Sequence, residues 1–173
     1  MARPKSLPDA EVLAAVRRLM AESGGQAISF GAAALATGLA PSTLAQRYGS
    51  VAAMRAAAVQ DGWQVLADAT AAAIDAAADK GPQGLLKALD AVTGQAGMLL
   101  AASTGEAARA GADGWRRMVE TALALRLGTG GKAREAREAA AILFAAWQGQ
   151  ALWGGDGFRV KDAAKRLAGP QRM

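Results

Sequence analysis

The chain has 173 residues and a mass of 17.5 kDa, enough for one domain or for two small ones that share a core. It contains no cysteine and no histidine, which excludes disulfides, thiolate metal sites and the commonest general base. The net charge is +5, and residues 1–60 hold six Lys or Arg against three Asp or Glu, which favours a partner with negative charge.

The composition predicts an all-α protein, because alanine-rich runs dominate a chain that has only five prolines. No catalytic pair of nucleophile and base stands out, so we expect no enzyme, no cofactor and no metal site. The N-terminus lacks the apolar run of a signal peptide, and the longest apolar run, Ala139–Trp147, is about half of a bilayer span. We therefore expect a cytoplasmic protein with no membrane partner.

The first helix is predicted to start near Ser6 and Asp9, with Pro8 in its first turn. Before it lies a short basic arm with Lys5, and arms of this kind either touch DNA or have no partner. Arg17 lies off the apolar stripe of this helix. Its side chain either contacts a DNA phosphate or is an ordinary solvated residue. The stripe itself consists of Val12, Leu13, Val16, Leu19 and Met20, and the helix is expected to end at Gly24 and Gly25.

The segment Ser29–Tyr48 has the pattern of two short helices around a turn. Gly38 can adopt the positive φ that ends a helix, and Pro41 favours the start of the next helix. In the second helix one face is apolar, with Leu44 and Tyr48, and the other is polar, with Ser42, Thr43, Gln46 and Arg47. This arrangement is typical of a helix-turn-helix, although an ordinary corner between two helices has the same pattern.

Ser50 is placed to cap a long helix that we expect to reach about Asp79, before a break at Lys80-Gly81-Pro82. The pattern of residues 83–110 predicts one or two helices. Asp113 is expected to cap another helix, which ends before the glycine-rich loop at Gly128. The predicted core of residues 83–110 contains Leu85, Leu86, Leu89, Val92, Met98, Leu99 and Leu100.

Two more helices are predicted at about Lys132–Gly154 and Arg159–Leu167. The first of them is apolar on more than one side, with Leu143 and Trp147 on one face and Ile142 and Trp153 near another. A helix of that kind must be buried on more than one side.

Residues 11–54 resemble the DNA-binding domain of the TetR family of bacterial transcriptional regulators. The family pattern has a helix ending in E-x-G, a Thr-capped helix, an A-G-V-S turn, T-L-Y-x-x-F and a G-S-K-E-x-L start. The matching segments are Glu22-Ser23-Gly24, Ser29, Thr37-Gly38-Leu39-Ala40, Thr43-Leu44-Ala45-Gln46-Arg47-Tyr48 and Gly49-Ser50-Val51-Ala52-Ala53-Met54, in order and without a gap.

The sequence departs from the family at three functional positions. The turn Ser that caps the recognition helix is Ala40, the Tyr that contacts phosphate is Ala45, and the Lys of the next helix is Val51. Phosphate contacts supply much of the affinity for DNA and most of its salt dependence. We therefore expect DNA binding that is weaker than usual for the family, carried by other residues, or lost.

The resemblance implies a helix-turn-helix DNA-binding domain at residues 1–50 and a helical effector-binding and dimerisation domain at residues 51–173. It implies a repressor that binds double-stranded DNA as a homodimer. The homodimer forms through the C-terminal helices, and a small hydrophobic effector releases it from the DNA. The alternative is a protein of the same fold that acts through a protein partner. The candidate DNA contacts are Lys5, Arg17, Ser29, Ser42, Thr43, Gln46, Arg47 and Tyr48.

Large apolar residues of the second domain are candidates for lining an effector pocket. The alternative is that they fill the core and the dimer interface. The candidates are Trp63, Met98, Trp115, Met118 and Trp147.

Overall fold

The computed structural model describes residues 7–22, 28–128, 133–153 and 160–167. Throughout these ranges the regular elements are α-helices, which confirms the predicted all-α class. Lys5 and Ser6, the predicted helix stop at Gly24 and Gly25 and most of the loop after Gly128 lie outside the described residues. The helices are α1 (Asp9–Glu22), α2 (Phe30–Thr37), α3 (Pro41–Tyr48), α4 (Val51–Ala76), α5 (Pro82–Ala102), α6 (Glu106–Leu127), α7 (Ala133–Trp153) and α8 (Val160–Leu167).

The chain divides into two compact units. The first consists of Met1–Val65 and Met98–Gly111, and the second of Leu66–Gly97 and Ala112–Met173. Helices α4, α5 and α6 therefore belong partly to each unit. The first unit takes in more of the chain than residues 1–50, the segment predicted to bind DNA.

The first unit has a core in which α1 packs against α2 and α2 packs against α3. The predicted apolar stripe of α1 is confirmed, since Val12 and Val16 are fully buried. Leu44 of α3 and Met54 of α4 are also fully buried, so each of these helices contributes an apolar face. Ser50 caps α4 as predicted, with its Oγ accepting a hydrogen bond from the Ala53 amide at 3.1 Å.

Two glycines allow close packing inside the first unit. A Cβ atom at Gly62 of α4 would lie 2.6 Å from Leu99 Cδ2 and 2.8 Å from Arg17 Cδ. A Cβ atom at Gly111 of α6 would lie 2.9 Å from Trp63 Cβ. The Trp63 indole is buried and donates a hydrogen bond to Ser103 Oγ at 3.0 Å. Both glycines thus make room for a side chain from another helix.

The second unit has a leucine-rich core that includes Leu85 and Leu89 of α5, Leu123 of α6 and Leu143 of α7. The break predicted at Lys80-Gly81-Pro82 is confirmed, because α4 ends at Ala76 and α5 begins at Pro82.

A charged residue of α6 binds the end of α4 within this unit. The Arg126 guanidinium donates to the carbonyl oxygens of Ile74 at 3.2 Å, Ala77 at 3.0 Å and Lys80 at 3.1 Å. A cation at this position adds hydrogen bonds to carbonyl groups at the C-terminal end of the helix, where the helix dipole is negative.

Two predictions for the middle of the chain are wrong. Helix α6 begins at Glu106, so Asp113 lies inside the helix and does not cap it. Leu100, predicted in the core, is exposed, whereas its neighbour Leu99 is buried.

The described residues cover only one side of helix α7. Leu143 and Trp147 are buried as predicted, but Ile142 and Leu152 are exposed and Trp153 is 87% exposed. The second buried side that its apolar composition requires is therefore not provided by the described part of this chain.

No single helix among those described is both long and apolar enough to cross a membrane. Only the two halves of α5 taken together, bent by 59° between Val92 and Gly94, reach that length and composition.

Candidate nucleic-acid interface

Helices α2 and α3 are joined by a tight turn whose local signals are those expected from the sequence. Ser29 caps α2 by accepting a hydrogen bond from the Ala32 amide at 3.0 Å. Gly38 ends α2 with a φ of 72°, and its amide donates to the Ala34 carbonyl at 2.8 Å. Glycine adopts this left-handed conformation readily, whereas it is costly for most other residues.

Helix α3 starts at Pro41 without a side-chain cap. Ala40 occupies the N-cap position in an extended conformation, and it has no side-chain oxygen to accept from the first turn of α3. The Thr43 amide donates instead to the Ala40 carbonyl at 3.0 Å, so the Ser42 amide is the one first-turn amide without a hydrogen bond within the described residues. The proline at the first helical position partly compensates, because its ring presets the helical φ and it has no amide hydrogen to satisfy.

The two faces of α3 differ sharply. Leu44 is fully buried, and Leu39 just before the helix is buried as well. Ser42, Gln46 and Arg47 are exposed, and Thr43 is half-buried. The exposed side of α3 therefore offers a hydroxyl, a carboxamide and a guanidinium, groups that hydrogen-bond to the edges of bases and to phosphates.

The C-terminal end of α3 is tied to the beginning of α1. Arg47 Nη1 donates to the Leu7 carbonyl at 2.9 Å and to Asp9 Oδ1 at 3.1 Å. Tyr48 Oη donates to the same Asp9 oxygen at 3.0 Å. Burial raises the pKa of Tyr48 above its ordinary value, and the hydrogen bond and negative charge of Asp9 raise it further. The phenol therefore stays a donor to Asp9 at neutral pH.

The remaining candidate contacts are placed less favourably for DNA. Arg17 forms an ion pair with Asp61 of α4, and its side chain is largely covered. A phosphate would have to replace that carboxylate. The Ser29 hydroxyl is exposed but serves as the cap of α2. Lys5 lies outside the described residues.

The five candidate effector-binding residues are not gathered around one cavity. Trp63 is buried in the first unit, where Met98 also lies, half-buried. Trp115 is buried in the second unit and donates to the hydroxyl of the fully buried Thr70 at 2.8 Å. Met118 lies along a shallow groove between α4 and α6. Two of the five, Trp63 and Trp115, thus have core positions, as the alternative interpretation expects.

Trp147 lines a cavity of the second unit that has a volume of about 570 Å³. Its indole donates to Asp90 Oδ1 at 3.2 Å, and its ring lies 6.3 Å from Trp115 and 6.2 Å from Phe144. The buried lining residues are apolar and form its floor, and the exposed ones are polar and form its rim. The lining residues are Gln83, Gly84, Leu86, Lys87, Asp90, Trp147, Gln150 and Val160.

Two groups of residues at these sites are not apparent from the sequence. The pattern places Asp9 only at the start of α1, although its carboxylate accepts hydrogen bonds from Arg47 and Tyr48. The rim residues Gln83, Lys87 and Asp90 were also missed, although they recur at helical spacing and so share one face of α5.

No protein-family model matches the chain, and no curated protein matches it.

Proposed function

We propose that the protein is a TetR-like transcriptional regulator, a repressor that acts in the cytoplasm as a homodimer on a pseudo-palindromic operator. The observation that carries the proposal is the pair α2 and α3, joined at the left-handed Gly38, with a buried Leu44 and an exposed polar face on α3. The ungapped resemblance of residues 11–54 to the family supports the same conclusion. The role is binding, not catalysis.

In this proposal α3 enters the major groove. Gln46 has the donor and acceptor that pair with adenine, and Arg47 suits guanine or a phosphate. Ser42 and Thr43 supply hydroxyls near the start of the helix. Ala40 provides no side-chain cap, and Ala45 and Val51 provide no phosphate contact. We therefore expect an affinity for DNA below that of a regulator that has all three groups.

The exposed apolar side of α7 supports a homodimer. Ile142, Leu152 and Trp153 lie on the solvent-exposed part of α7, and a Cβ placed at Gly149 would meet no described atom within 4 Å apart from the nearby backbone of α7 itself. A second copy of α7 can approach closely at the glycine and cover the large residues beside it. Ile142→Glu should shift the protein to monomer in sedimentation experiments, whereas the exposed Arg134→Glu on the same helix should not. A dimer that persists in Ile142→Glu would place the interface elsewhere.

The 570 Å³ cavity beside Trp147 is the proposed effector site. Its size is within the range of small-molecule pockets, and its apolar floor with a polar rim fits a flat hydrophobic molecule that has hydrogen-bonding groups at one edge. A ligand there should change the Trp147 fluorescence, and that change should disappear in Trp147→Phe. Ligand-dependent fluorescence from a protein that binds no DNA would indicate a small-molecule carrier or sensor.

The test of DNA binding is selection from a pool of random duplexes, followed by sequencing of what the purified protein retains. An inverted-repeat consensus, with its two halves about one helical turn apart, is the expected result. No enrichment by a folded, dimeric protein would refute the repressor function.

A second candidate function is an interaction protein that has this fold and does not bind DNA. The observation that favours it is Leu35 on α2, which is 90% exposed in the same part of the chain as the missing phosphate contacts. An exposed leucine suits an apolar protein partner better than a phosphate backbone. A gel shift at low salt separates the candidates, since the interaction protein would bind neither random nor genomic DNA.

A further inference from the structure

The guanidinium of Arg47 is held by one nitrogen only. Both acceptors, the Leu7 carbonyl and Asp9 Oδ1, receive hydrogen bonds from Nη1, which has two hydrogens to donate. Within the described residues Nε and Nη2 make no hydrogen bond. Their two N–H groups lie side by side along one edge of the planar guanidinium, so a matching pair of acceptor atoms can bind both at once.

The same contacts restrict how this edge can move. Asp9 lies in the first turn of α1, and its Oδ1 also accepts from Tyr48, so the carboxylate is fixed from two directions. Arg47 lies in the last turn of α3, beside Tyr48. Fixing a long side chain before binding removes much of the entropy that is otherwise lost when it is immobilised against a ligand.

The charges of Asp9 and Arg47 also balance each other. Asp9 and Arg47 form an ion pair at the surface, with side-chain exposures of 65% and 27%. A carboxylate near a phosphate opposes binding through its charge, while the same carboxylate favours binding through the orientation it gives Arg47. The two effects have opposite signs, and a useful experiment must separate them.

We propose that Asp9 is a positioning residue that presents the Nε–Nη2 edge of Arg47 to a pair of acceptor atoms on one nucleotide of DNA. The acceptors are two phosphate oxygens or the O6 and N7 atoms of a guanine, which have the same two-point geometry. This inference rests on the proposed DNA-binding function and adds to it a residue outside α3 that controls how α3 reads DNA.

Asp9→Asn and Asp9→Leu form the matched pair for the test. Both remove the charge, and the side chains have similar shapes, but only asparagine retains an oxygen that can accept from Arg47. The dissociation constant for a random-sequence duplex pool is measured for both variants at several salt concentrations, with thermal unfolding as a check that each is folded. We expect Asp9→Asn to bind about three- to tenfold more tightly than Asp9→Leu.

The same pair in the Arg47→Ala background is the control. If Asp9 acts through Arg47, the Asn and Leu variants then bind equally. Equal binding and an identical consensus for the two variants with Arg47 present would overturn the role of Asp9 and leave the proposed function standing. A wild-type protein that retains no DNA even at low salt would overturn both.

Sequencing the retained fragments distinguishes the two sources of acceptors. If the acceptors belong to guanine, one guanine in each half-site should be selected by Asp9→Asn and lost with Asp9→Leu. If they belong to a phosphate, the consensus should be the same for both variants. The slope of log K against log salt should then be lower for Asp9→Leu by about one phosphate contact.

Discussion

Replacing Arg126 should reveal how strongly α6 is fastened to the end of α4 within the second unit. Its guanidinium reaches three carbonyls spaced three residues apart, those of Ile74, Ala77 and Lys80, and also the Ala122 carbonyl of its own helix at 2.9 Å. Arg126→Ala removes all of these bonds together. The side chain is thus a single link between α6 and the segment that connects α4 to α5.

The magnitude follows from which of these bonds water can replace. A hydrogen bond to a charged group contributes about 1.5–3 kcal/mol to stability. The bond to Lys80 is exposed, so water replaces it, whereas those to Ile74 and Ala77 are part-buried. The last two carbonyls also accept backbone amides, so neither is left unbonded. We therefore expect Arg126→Ala to lower the free energy of unfolding by about 2–3 kcal/mol in total.

Urea unfolding followed by far-ultraviolet circular dichroism measures this loss, at one protein concentration because a dimer would make stability concentration-dependent. Arg126→Lys keeps the charge but not the planar set of donors, and should lose about 1 kcal/mol. The control is Arg134→Ala on α7, whose side chain is 86% exposed and pairs with Glu138 on the same helix. It should change stability by about 0.5 kcal/mol or less. Equal losses for Arg126→Ala and Arg134→Ala would refute the reasoning.

Two further predictions concern the first unit and the start of the second. Tyr48 is the only tyrosine, so tyrosinate absorbance reports its raised pKa directly, and Asp9→Asn should lower that pKa. Because folding raises the pKa of Tyr48, the stability that this contact contributes is complete at pH values below the unfolded pKa of 10.0. It is lost as the pH rises through the folded pKa. An unchanged Tyr48 titration in Asp9→Asn would contradict the contact. Gly111→Ala should destabilise by about 1–2 kcal/mol in thermal unfolding, since its Cβ would lie 2.9 Å from Trp63. Gly114→Ala on the same helix meets no atom within 4 Å and should stabilise by about 0.5–1 kcal/mol, so losses at both glycines would count against the packing argument.

The boundaries of the N-terminal helices could be predicted because their signals are local. The Ser29 cap, the left-handed Gly38 and the Ser50 cap all depend on residues within a few positions of each other. In contrast, Asp9 binds residues 38 and 39 positions away, Arg47 and Tyr48, and no local pattern connects them. The exposed face of α3 was therefore predictable, but the contact that orients its arginine was not.

Further along the chain, alanine and glycine limited what the sequence could predict. Alanine is apolar but small, so it widens every apolar stripe and hides which large residue faces the core, as for the buried Leu99 and the exposed Leu100. The role of Gly111 depends on Trp63, which is distant in sequence, so only the structure shows that this glycine serves close packing. The three buried tryptophans could be predicted as core or cavity wall, but only the structure assigns Trp147 to the wall.

The first unit is built from two separate stretches of chain, and this affects how it can be isolated. A fragment that stops at Val65 would remove Leu99 from Gly62 and Ser103 from the Trp63 indole. Newly uncovered tryptophan and leucine surface would make such a fragment prone to aggregation, even with α1, α2 and α3 intact. Isolating the DNA-binding candidate therefore calls for a circularly permuted or linker-bridged chain that retains residues 98–111, not for a simple truncation.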